Sequence, residues 1–136
     1  MTIKRVGQNF MIYGKVDIIC PWNLTVGSDC TLNHGVYINA FNPIYIGNDV
    51  TISSGAKVIS TGINIEKWNK GEKEHITDQD VFIGDHVWIG ANALILGGVH
   101  ITGEYVVIAA GAIVTKDISE SHCLVVGCPA KIVKYF

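Results

Sequence analysis

Residues 81–118 read VFIGDHVWIGANALILGGVHITGEYVVIAAGAIVTKDI. An aliphatic residue recurs every six positions: Ile83, Ile89, Ile95, Ile101, Val107 and Ile113. Gly follows directly at Gly84 and Gly90, and small residues fill much of the rest. A period of six fits neither the 3.6 of a helix nor the alternation of a long strand. It fits a solenoid of very short strands and tight turns, a parallel β-helix in which three hexads close one triangular coil of about 18 residues. The aliphatic residue points into the prism and stacks on its counterpart one coil up. Gly, Asn or Asp after it serves turns that need positive φ. Ile46-Gly47-Asn48-Asp49-Val50 and Ile83-Gly84-Asp85-His86-Val87 show the pattern.

The rhythm extends in both directions. Downstream it passes Ser119 and returns at Val125. Upstream it runs through Val6, Ile12 and Ile18, slips by two residues to Val26, Leu32 and Ile38, and slips again to Ile46, Ile52 and Val58. It fails over Thr61–Asp80, TGINIEKWNKGEKEHITDQD, which holds eight charged residues. A loop this long leaving a compact solenoid is of the kind that carries function. The final segment, Val126–Phe136, leaves the solenoid as an extended Gly/Pro piece and is expected to end as a short strand or helical turn that caps the prism. The whole of residues 1–136 reads as one all-β domain.

Composition sets limits on function. Hydrophobic residues make up 49% and charged residues 16% of the 136, which excludes disorder. Ten basic residues against twelve acidic leave no excess of positive charge for a nucleic-acid backbone. No run reaches 18 apolar residues and the N-terminus has no apolar leader, so a cytoplasmic protein without a membrane contact is expected. So apolar a surface suggests burial between subunits. Cys20, Cys30, Cys123 and Cys128 form no CxxC pair and read as small buried hydrophobes.

The run Val87-Trp88-Ile89-Gly90-Ala91, then Gly98-Val99-His100-Ile101, then Ala109-Ala110-Gly111-Ala112-Ile113-Val114-Thr115-Lys116-Asp117, then Gly127-Cys128-Pro129-Ala130-Lys131-Ile132 resembles the hexapeptide-repeat acyltransferases. Within them it is similar to the sugar O-acetyltransferases of the maltose/galactoside type. The resemblance covers roughly residues 25 to 134. It implies a left-handed parallel β-helix with an extruded loop, a homotrimer, and a site in the groove between neighbouring prisms. It also implies acetyl-CoA as co-substrate, a sugar hydroxyl in surface-polysaccharide synthesis as acceptor, and no metal. Two features depart from that subgroup. The rhythm starts at Val6, so no counterpart of its N-terminal helical segment is expected. Its T-G-H sequence, which carries the general base, is here Thr61-Gly62-Ile63.

Acetyl transfer to a hydroxyl needs a base, donors for the oxyanion and a grip on the co-substrate. Histidine is the natural base. Of five candidates, His75 stands in the loop just before the solenoid resumes, a setting similar to the catalytic His of serine acetyltransferases. His34 is the second choice, and His86, His100 and His122 follow. Carried over from the family, the Ala91 N–H meets the thioester oxygen, Ala110 binds pantetheine, Thr115 and Lys116 hold the adenosine-phosphate end, and Lys131 and Lys134 face the phosphates. Asn33 lines the acceptor side. Trp88 walls the acceptor pocket or packs between subunits. No Cys lies near His75 in sequence, so direct transfer without a covalent intermediate is expected.

Other readings remain open at this point. They are acetylation of an amino-sugar nitrogen, acetylation of a xenobiotic, a γ-carbonic-anhydrase-like zinc enzyme, and a non-catalytic scaffold. The zinc enzymes carry an H-x4-H pair that this chain lacks. The Val-Thr-Lys-Asp and Pro-Ala-Lys segments speak against a bare scaffold.

Overall fold

The computed structural model describes residues 2–136, which coil into a β-solenoid of about six turns with three faces. The first face stacks Arg5–Val6, Leu24–Val26, Ile44–Ile46, Val81–Ile83 and His100–Ile101. The second stacks Met11–Ile12, Thr31–Leu32, Val50–Ile52, Val87–Ile89, Val106–Ile108 and Cys123–Gly127, all parallel. The third stacks Asp17–Ile19, Tyr37–Asn39, Lys57–Ile59, Leu94–Ile95 and Ile113–Val114. Strands of two or three residues are stable here because all but the end ones pair above and below, and from the second coil onward a middle or end aliphatic of each is buried in the prism. Each such burial contributes roughly 1.5–3 kcal/mol.

Coil length explains the slips in the rhythm. Thr25 pairs with Arg5 below and Tyr45 above, so the first coils take twenty residues. Phe82 pairs with His100, a coil of eighteen. Close stacking of the turns demands glycine at the first-to-second corner: a Cβ on Gly27 would sit 2.5 Å from the Gly47 carbonyl oxygen.

One part of the six-residue reading is corrected. Ile83, Ile89, Ile95 and Ile101 are fully buried, but Val107 and Ile113 are not the next inward residues; Ile108 and Val114 are. The turn Thr102–Tyr105 holds one residue more than Gly84–His86. Its extra residue is absorbed where the Thr102 and Gly103 N–H groups both donate to the Ile118 carbonyl, at 2.9 and 3.2 Å. The hexads therefore slip once after Ile101.

The chain end is a strand. Ala130–Tyr135 turns back antiparallel on Cys123–Gly127, and Ile132 packs against the core. The expected extruded loop leaves between Ile59 and Val81 and has structure of its own. Ile63 and His75 form an antiparallel bridge, a helix spans Ile65–Asn69, the Asn64 side chain caps it by accepting from the Lys67 N–H, and Lys67 pairs with Glu74. The thiols divide. Cys30 and Cys123 are buried as expected, but Cys20 is half-buried and Cys128 exposed; all four are free. Burial pushes the Cys30 and Cys123 thiols up, which keeps them protonated and inert. Among the described residues no helix is long and apolar enough to cross a membrane.

Candidate active site

The second-to-third corner carries a column of backbone amides. His34, Ser54 and Ala91 stack through register bonds: the Gly55 N–H donates to the His34 carbonyl (3.1 Å), Asn92 to Ser54 (3.0 Å) and Gly111 to Ala91 (2.9 Å). Ala110 continues the column one coil above Ala91. The N–H groups of His34, Ser54, Ala91 and Ala110 donate to no acceptor among the described residues. A corner of this kind offers a row of donors at fixed spacing, suited to an amide-rich arm and to one oxyanion.

Two neighbours of that column have structural duties. Asn33 Nδ2 donates to the Ile52 carbonyl at 3.1 Å and stitches its coil to the next. His34 Nδ1 accepts from the Lys15 N–H at 3.2 Å, which fixes the proton of the neutral ring on Nε2. That ring then has no free lone pair with which to act as a base. Trp88 points outward from the middle of the second face. Its Nε1 donates to Ser53 Oγ at 2.9 Å, leaving the indole ring exposed. Ser53 was not singled out in the sequence; only the coil register places it beside Trp88.

Above Trp88 the returning strand carries Lys131 opposite Val126 and Lys134 opposite Leu124. Residues three apart in a strand ordinarily face opposite ways. Here the register shifts by one at Val133, so both lysines share the outer side of the second face with Leu124 and Val126. Both are exposed.

His75 lies elsewhere, at the third-to-first corner. Its Nδ1 stands 3.3 Å from Thr61 Oγ1, and its ring packs on Phe41 with centroids 4.8 Å apart. A Nδ1–H donated to Thr61 Oγ1 would leave the Nε2 lone pair free. The corner itself is well anchored: Asn42 Nδ2 donates to the Ile76 and Ser60 carbonyls at 3.0 and 2.8 Å. Thr115 and Lys116 follow the third-face strand Ile113–Val114 and lie at this same corner, higher up. The candidate residues thus divide into two groups. Asn33, His34, Trp88, Ala91, Ala110, Lys131 and Lys134 gather on the second face and its junction with the third. His75, Thr115 and Lys116 gather across the third face from them.

Residues 80–116 match the family described as bacterial transferase hexapeptide, six repeats. The galactoside O-acetyltransferase of Escherichia coli is 30% identical over 131 residues, 95% of this chain and 62% of the relative. A maltose O-acetyltransferase from Clostridium difficile superposes with a TM-score of 0.85 at 29% identity, over 96% of this chain and 68% of that one. The hexapeptide-repeat acetyltransferase of Vibrio cholerae complexed with acetyl coenzyme A gives 0.89 at 26%, over 98% and 71%. Over nearly its whole length the chain is similar to the hexapeptide-repeat acetyltransferases. It spans 62–63% of the length of the curated relatives it matches.

The hexapeptide-repeat framework puts the absent T-G-H histidine in a new light. Ile63 holds that sequence position, and His75 is its partner across the antiparallel bridge. Bridged residues project to the same side. An imidazole is therefore presented beside Ile63, from the returning leg of the loop instead of the outgoing one.

The remaining corner, between the first and second faces, holds a ladder of residues in left-handed conformation. Asn9, Asp29, Asp49, His86, Tyr105 and His122 all have φ between 54° and 62°. His86 Nδ1–H donates to Asp49 Oδ2 at 2.7 Å. His86 stacks on Tyr105 (4.6 Å, 6°) and Tyr105 on His122 (5.0 Å, 9°). The hydrogen bond to Asp49 raises the His86 pKa above its ordinary 6.5, helped by the charges of Asp49, Glu104 and Asp85 against a smaller desolvation effect. A raised pKa means that the folded state binds the proton more tightly. The pair's contribution is complete below pH 6.5 and fades as pH rises through the raised value. Asp49→Asn, which keeps a residue tolerant of positive φ, is expected to return the His86 NMR titration midpoint toward 6.5. It should also lower thermal stability more at acid pH than at alkaline pH. An unmoved midpoint would remove Asp49 as the cause.

Proposed function

We propose that the chain is an acetyl-CoA-dependent O-acetyltransferase for a saccharide hydroxyl, working as a homotrimer with each site built by two protomers. The observation that carries this reading is the division of the site. The free Ala91 and Ala110 amides stand at one corner of the prism and His75 at another, and a neighbouring protomer's His75 corner set against the Ala91 corner completes the constellation. The half-buried apolar residues Leu94, Leu96 and Ile113 on the third face then turn toward the threefold axis, which accounts for their want of charge.

In this scheme His75 Nε2 takes the proton from the acceptor hydroxyl as its oxygen attacks the thioester carbonyl. The Ala91 N–H donates to the oxyanion. The C–S bond breaks, and the proton held by His75 passes to the departing thiolate. Ala110 pairs with the pantetheine amides, and Thr115, Lys116, Lys131 and Lys134 hold the anionic end as point charges and donors. Trp88 walls the acceptor side, and Asn33 and His34 form the lower part of the same corner.

The test is thiol release from acetyl-CoA across a panel of sugars and nucleotide sugars, run with the native protein and with Lys131→Ala/Lys134→Ala. Release with a sugar is expected, and the double variant should raise KM for acetyl-CoA about tenfold with kcat nearly unchanged. A fall in kcat alone would contradict the phosphate-holding role. No release with any acceptor would remove the activity.

A further inference from the structure

On the outer side of the second face, between the left-handed ladder and Trp88, lies a groove of about 290 Å³. Its floor is Thr51 and Val107, its far end Trp88, and its near wall His86, Tyr105 and His122, with Phe136 at the upper end. This volume is at the lower limit for small-molecule pockets, the size for one ring. Because the near-wall rings are stacked parallel, their faces cover one another and their edges line the groove. Those edges carry unused hydrogen-bonding atoms. Tyr105 Oη, both His122 ring nitrogens, His86 Nε2 and Thr51 Oγ1 have no partner among the described residues. The remaining surfaces, Trp88, Phe136 and Val107, are exposed or half-exposed and apolar.

A ligand that matches such a groove has an apolar face and a rim of hydroxyls, which is the chemistry of a pyranose ring. The groove also ends next to the corner already described. Trp88 closes its far end, and the same indole is tied through Nε1 to Ser53, next to the amide column. We infer that the groove holds a second sugar ring of the acceptor, so that the acceptor is an oligosaccharide or polysaccharide lying across the second face. This rests on the acetyl-transfer reading for what happens at one end of the ligand, but not for the binding of the other.

The experiment uses glucose, galactose and N-acetylglucosamine, each as monomer and as α- and β-linked di- and tetrasaccharides. Binding is read by saturation-transfer NMR, and transfer by thiol release from acetyl-CoA. Two groove variants are compared with the native chain: Tyr105→Asn, which removes one wall at a position where Asn accepts positive φ, and Val107→Phe, which fills the floor. For at least one sugar the oligomer should bind five- to tenfold more tightly than its monomer. Both folded variants should erase that gain and leave the monomer's affinity as it was. Equal affinity of monomer and oligomer throughout the panel, or a gain that persists in both variants, would overturn the inference. Tighter oligomer binding without acetyl transfer would leave the groove standing and remove the transfer reading. Transfer to monomers with no gain in length would do the reverse.

Discussion

His75→Ala is expected to lower kcat at least a hundredfold while KM for acetyl-CoA changes little. A hundredfold is about 2.7 kcal/mol of transition-state stabilisation, well within what a positioned base supplies. Thr61 Oγ1 and the Phe41 ring hold the imidazole at the root of the loop, so Nε2 is presented without help from the loop tip. His34, its rival, has Nδ1 occupied by the Lys15 N–H. Near-normal turnover in His75→Ala, together with collapse in His34→Ala, would transfer the role to His34. Thr61→Val should give a smaller loss of the same kind, since it frees the ring to choose the other tautomer.

Mixing two variants that are each impaired at low acetyl-CoA should restore activity. His75→Ala spoils the third-to-first corner and leaves the lysines intact. Lys131→Glu/Lys134→Glu spoils the second face and leaves His75 intact. All three residues are exposed, so neither variant disturbs the core. If each site joins the amide corner of one protomer to the loop of the next, randomly mixed trimers carry one native site in four, and about a quarter of native activity returns. Refolding or coexpressing the two chains, then assaying the mixture, reads the result. Activity no higher than the average of the separate variants would mean that His75 serves its own protomer, and the two-protomer site would fall.

Most of the architecture could be read before any coordinates. The aliphatic positions from Val26 to Ile101 point inward as their spacing requires, and the interruption at Thr61 marks where the loop leaves. The error after Ile101 has a local cause. Val106-Val107-Ile108 and Ile113-Val114 are runs of adjacent aliphatics, so the pattern is equally satisfied in two phases. Only the doubled hydrogen bond at Ile118 decides between them. The site was legible residue by residue but not in its arrangement. Motifs name Ala91, Thr115 and Lys131 without saying which corner each occupies, and a sequence has no way to show that His75 meets Ile63. The groove on the second face was missed for a related reason. Asp49, His86, Tyr105 and His122 stand at unequal intervals of 37, 19 and 17 residues, and become neighbours only once coil lengths are known.

A pile of parallel rungs is a template for its own lengthening, because the last rung offers to any extended chain the same directional pattern that the rung beneath offered to it. The returning strand Ala130–Tyr135 breaks that inheritance on the second face. A newcomer there would meet a backbone running the wrong way, with its donors and acceptors out of step for another parallel rung. This reversal of the chain thus does more than place two lysines: on the second face it withholds the parallel pattern that would template a further rung.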